Sequence, residues 1–128
     1  MAKKISVTAG PVVLLGSLND GRVAREIAAK LPITAKARTW GDEIYFPIPV
    51  RTKIDVPVTK VEKGDLGYWP EGACFCIFFG PTPMSRGDEI VPASAVEVVG
   101  RVEGDLSALK GVKDGDTVVI AAGNESND

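Results

Sequence analysis

Gly64-Asp-Leu-Gly-Tyr-Trp-Pro-Glu-Gly-Ala-Cys-Phe-Cys-Ile-Phe-Phe-Gly-Pro-Thr-Pro-Met-Ser85 is the stretch on which the fold of this chain turns. It holds the longest apolar run, Ala73 to Phe79, with three of the four phenylalanines and one of the two tryptophans. Pro70 and Gly72 mark a turn before the run, and Gly80-Pro81 ends it. Seven residues bounded by turn signals are too few for an ordinary helix and read as a strand. Both of its faces are apolar, so both must be covered. One meets a core; the other meets more protein or a ligand.

Working outward, Ile5, Val7 and then Val12 to Leu15 predict two short strands turning at Gly10-Pro11. Ser17-Leu18-Asn19-Asp20 fits a helix start, and Val23, Ile27 and Leu31 recur every four residues beside Ala24 and Ala28. A helix is therefore predicted over about 19–31, with Arg22 and Glu26 paired on its wet side and Pro32 ending it. Ile33 to Val50 alternates and reads as a hairpin around a two-residue Gly41-Asp42 loop. That loop sets Trp40 against Glu43, Thr39 against Ile44, Arg38 against Tyr45 and Ala37 against Phe46. Arg38, Trp40, Glu43 and Tyr45 then share the face turned away from the core.

Val50 to Val61 has no clear pattern, and Pro57 suggests an edge or a bulge. Val96 to Val102 predicts a strand bent at Gly100, residues 105–110 a short helical turn, and Thr117 to Ala122 the last strand. Gly-Asp recurs at 41, 64, 87, 104 and 115, as a turn device leading into strands. Residues 1–122 read as one domain, with 123–128 a disordered polar tail. Seven or eight short strands and one real helix point to a mainly β closed antiparallel barrel or a sandwich. The central strand apolar on both faces, together with the single helix, favours the barrel, with the helix capping one end.

Composition excludes several functions. The chain has 128 residues and a net charge of −2, which does not make a nucleic-acid footprint. No apolar stretch is long enough to span a bilayer as a helix, and the start leads directly into a strand pattern, so a cytoplasmic location is expected. With no histidine, neither a Ser-His nor a Cys-His nucleophile pair is possible. Cys74 and Cys76 lie too far apart along one strand for an easy disulfide, and two thiols alone make a poor metal site. No metal or cofactor is expected. Scarce Asn and absent Gln hint at a heat-adapted source.

Thr39-Trp40-Gly41-Asp42-Glu43-Ile44-Tyr45-Phe46, Gly64 to Pro70, Cys76 to Ser85 and Pro92-Ala93-Ser94-Ala95-Val96 together resemble one family. It is that of the small stand-alone cyclophilin-like proteins of archaea and thermophilic bacteria. The resemblance covers about residues 5 to 122 and implies a closed eight-stranded β-barrel. Phe78-Phe79-Gly80-Pro81-Thr82-Pro83-Met84 is also distantly similar to a segment of the prolyl-isomerase cyclophilins. Met84 stands where that likeness wants tryptophan, and the catalytic histidine and the Phe-Met-x-Gln-Gly-Gly signature are absent.

Two site candidates follow. Arg38 is the candidate catalytic cation for prolyl isomerisation, which needs an apolar seat and a hydrogen bond that favours the twisted amide. Trp40 and Tyr45 would be its walls, and Glu43 would orient the guanidinium. The second candidate is an apolar groove of Tyr68, Trp69, Phe78, Phe79 and Met84, with Thr82 beside it, suited to an extended or proline-bearing peptide. The expected function is binding of a peptide or small molecule beside Arg38 and the Tyr68–Trp69 turn. A diverged isomerase and an accessory domain of a larger enzyme assembly are the alternatives. The oligomeric state is not legible in these residues.

Overall fold

The computed structural model describes residues 2–123. In chain order they form β1 (Lys3–Ala9), β2 (Val12–Leu18), helix α1 (Arg22–Ala28), β3 (Ile33–Lys36), β4 (Arg38–Thr39) and β5 (Glu43–Pro47). β6 (Asp65–Trp69), β7 (Cys74–Phe78), β8 (Glu97–Glu103), a 3₁₀ turn (Leu106–Gly111) and β9 (Thr117–Ala122) follow.

One antiparallel sheet runs β3-β9-β1-β2-β8-β6-β7-β5-β4. Its two ends, β3 and β4, are consecutive in the chain and separated by Ala37 alone. The Ala37 N–H donates to the Asp116 carbonyl at 2.8 Å, and the Ala37 carbonyl accepts from Gly115 N–H at 2.8 Å. The sheet therefore curls into a nearly closed barrel. The eight strands expected are nine, because one of them breaks at Ala37.

The same break corrects the hairpin. Near the loop the register is as read: Trp40 and Glu43 exchange backbone hydrogen bonds of 2.9 and 3.2 Å, and Arg38 lies opposite Tyr45. Gly41 takes φ +61°, which the first position of this loop requires. Beyond Arg38 the strands part. β3 runs beside β9, and β5 continues beside β7. Barrel strands are tilted and staggered, so a long strand changes neighbours along its length.

The predicted central strand is β7, buried at every position. Phe75 and Ile77 point into the barrel, and Phe46 stacks on Phe75 with centroids 5.6 Å apart. Cys74, Cys76 and Phe78 point outward and are covered by Val61, Ile90 and Val96. The covering segments contribute only the isolated bridges Val58–Val96 and Val61–Ile90. Protein thus covers the second face of the apolar strand.

Helix α1 packs Val23, Ala24 and Ile27 onto the barrel core. It is shorter than the predicted 19–31. Ser17 belongs to β2, and Gly21 occupies the N-cap. Asn19 holds this entry, accepting from Gly21 N–H at 2.9 Å and donating to the Val98 carbonyl at 2.9 Å. Gly123, read as the start of a free tail, donates its N–H to Lys4 at 2.7 Å. The rest of that tail lies outside the described residues.

Candidate functional site

Strand alternation turns Ile44 and Phe46 inward and leaves Glu43 and Tyr45 on the outer face of β5. On β7 next to it, Cys76 lies opposite Tyr45 and Phe78 opposite Glu43. Trp69, from β6, flanks β7 on its other side, opposite Cys74. The Tyr45 and Trp69 rings meet edge to face, 6.5 Å between centroids and 80° between planes. Trp69 is fixed by a 2.6 Å hydrogen bond from its indole N–H to Ser94 Oγ. Trp40 closes the hairpin side, and Pro92, Ala93 and Val96 close the loop side. Between them lies a pocket of about 200 Å³, partly open to solvent, with Glu43 in its lining.

Glu43 is 6 % exposed. Burial pushes its carboxyl up to about 7, against a weaker opposing effect of a hydrogen bond with the Cys76 thiol. Burial, then the Glu43 carboxyl, pushes the Cys76 thiol well above the usual thiol range, and burial also raises Cys74. Both cysteines are free and buried. Two larger hollows lie at Leu15–Glu103 and Pro81–Asp88, of about 430 and 380 Å³; neither is lined by an aromatic ring or a buried carboxyl.

The cyclophilin-like family model matches residues 3–121. The chain belongs to the cyclophilin-like family. It is also similar, at 37 % identity and a TM-score of 0.81 over 95 % of each chain, to the solution structure of the hypothetical protein AF2241 from Archaeoglobus fulgidus. No curated protein matches.

Within this cyclophilin-like domain, Trp40, Glu43, Tyr45 and Trp69 come together as one site. Arg38 lies at its border, exposed and opposite Tyr45. The expected Arg38–Glu43 pairing is corrected: among the described residues the Arg38 guanidinium has no hydrogen bond or ion pair, and it is felt only electrostatically at Cys74 and Asp114. Asp114 is itself held low, first by the Thr39 hydroxyl and then by the Thr39 N–H.

The second predicted groove does not form. Tyr68 points into the barrel, fully buried, donating its hydroxyl to the Val50 carbonyl at 2.7 Å and accepting from Thr52 N–H at 3.3 Å. Phe78 is buried in the layer under the covering loops, and Phe79 belongs to the barrel core with Lys110 Nζ 5.9 Å from its ring centre. Thr82 is buried and ties its loop together, donating to the Val91 carbonyl. Met84 is exposed and lines none of the three hollows described above. Pro92, Ala93 and Val96 were not foreseen as lining residues. They are small and apolar and carry no chemistry that would single them out in a sequence.

Proposed function

We propose that this cyclophilin-like domain is a binding module that seats one compact group, from a peptide or a small molecule, between Trp40, Tyr45 and Trp69. The convergence of three aromatic rings and one buried carboxyl around about 200 Å³ carries this reading. A proline ring is of suitable size and shape. The Tyr45 hydroxyl and the Trp40 indole N–H have no hydrogen-bond partner among the described residues, and both side chains are only half-buried, so either can donate to a ligand in exchange for water.

Prolyl isomerisation is the second reading, and Arg38 alone favours it, as an unpartnered cation across from a wall of the pocket. Exchange NMR on a Phe-Pro peptide with substoichiometric protein separates the two. Uncatalysed cis–trans exchange takes tens of seconds. Under the binding reading the peptide perturbs the tryptophans without faster exchange, and Arg38→Ala changes affinity no more than a few-fold. Accelerated exchange lost in Arg38→Ala would replace binding with catalysis.

A further inference from the structure

We propose that the occupant of this pocket is a small organic cation, an alkylated ammonium group held between the aromatic rings and the Glu43 carboxylate. The inference rests on the binding reading and names its ligand class. A proline ring or another neutral apolar group needs no carboxyl beneath it. A leucine or glutamine at 43 would fill the space without the desolvation that a buried carboxylate suffers. Glu43 is nonetheless there, nine-tenths buried, and lines the open pocket. No Lys or Arg among the described residues forms an ion pair with it. Its partner is the Cys76 thiol, a weak donor that leaves most of the carboxylate's acceptor capacity free. Two indoles and a phenol surround the same space, and their faces attract cations while their bulk suits methyl or methylene groups. Rings neutralise nothing by themselves; the carboxylate supplies the countercharge. Arg38 is the opposing influence, but it is exposed to solvent and shares its surroundings with Asp114.

The cation should also shift the carboxyl's protonation. The ionisable and charged groups about Glu43 are Cys74 and Cys76 on β7, Arg38 on β4 and Tyr45 on β5; Trp69 on β6 and the loop residues Pro92, Ala93 and Val96 are not ionisable. Both thiols are held up, so they keep their protons near neutrality. Glu43, pushed up to about 7, is the group that changes there. A bound cation favours its ionised form. Affinity for a permanently charged ligand therefore rises about tenfold from about pH 6 to about pH 8, with nearly one proton released on binding at the lower pH and almost none at the higher.

The test uses the full chain, with choline and its uncharged carbon analogue 3,3-dimethylbutanol as probes. Tryptophan fluorescence is the readout, since both tryptophans of the chain line the pocket. Choline should bind saturably and at least about tenfold tighter than the analogue at about pH 8. The preference should shrink at about pH 6, which needs no variant, and fall in Glu43→Gln to the few-fold that the rings alone supply, independent of pH, while the analogue still binds. Equal or tighter binding of the analogue at both pH values overturns the cation and leaves the binding module standing. If neither probe acts, the cation is overturned too; a Phe-Pro peptide in the same cuvette then decides the module, which stands if the peptide shifts the emission and falls if it does not.

Discussion

A carboxyl on a covered sheet face loses most of its hydration, and Glu43 answers by holding its proton up to about 7, above its ordinary 4.5. The folded protein then binds more protons than the unfolded chain between those values. The neutral carboxyl's contribution to stability is complete below about 4.5 and is lost as pH rises through about 7. Glu43→Gln removes this dependence. Between about pH 4.5 and about pH 8 its stability should improve by about 3 kcal/mol relative to wild type, read from denaturant midpoints at each pH. A constant difference would show that Glu43 is not desolvated. Tyr68 makes the opposite point. Its hydroxyl serves Val50 and Thr52 inside the barrel, so Tyr68→Phe should lose about 1–2 kcal/mol of stability and leave ligand affinity unchanged. Tyr68 and Trp69, expected together at a turn, are consecutive residues of β6. Alternation sends such neighbours to opposite faces, and only the barrel decides which of them faces the core.

At the level of elements, the local signals were legible where turn chemistry dictates them. All five glycines of the Gly-Asp pairs, at 41, 64, 87, 104 and 115, take positive φ, and several of the aspartates that follow tie the turns down. Asp65 accepts from Glu62 N–H and from Arg101, and Asp116 accepts from Lys113 N–H. Ser17 satisfies a capping pattern and so predicts the start of α1 too early; tertiary pairing draws it into β2 beside Arg101. Gly100, foreseen as a bend, stands beside the β-bulge where β8 carries one extra residue against β6, and it also permits close approach: a Cβ there would stand 2.1 Å from the Ser17 carbonyl oxygen of the neighbouring strand. That obstacle is backbone and cannot swing aside. Gly100→Ala should therefore destabilise by about 2–3 kcal/mol, measured as a lower midpoint of unfolding. An unchanged midpoint would mean that β2 and β8 are looser than they stand here.

For the whole molecule, closure explains what sequence could not supply. The run Ala73–Phe79 announced a strand covered on both sides, but not what covers its outer face. The answer is irregular chain, residues 50–62 and 80–96, with little hydrogen-bonded pairing to betray it. Pro92, Ala93 and Val96 reach the pocket from that chain, and their partners Trp40 and Tyr45 lie some fifty residues earlier. No local pattern joins them. Half of the candidate site was visible because one hairpin register brought Trp40, Glu43 and Tyr45 to one face. The other half depends on how the barrel is wrapped. Binding at this outer pocket is what ties the fold to the proposed function. Two-dimensional NMR of the full chain, titrated with choline and then with a Phe-Pro peptide, tests that most directly. The indole signals of Trp40 and Trp69 and the amides of Tyr45 and Val96 should move together and saturate, while that of Tyr68 stays nearly fixed. Saturable shifts confined to the hollows near Leu15 or Asp88, with both indoles still, would contradict it.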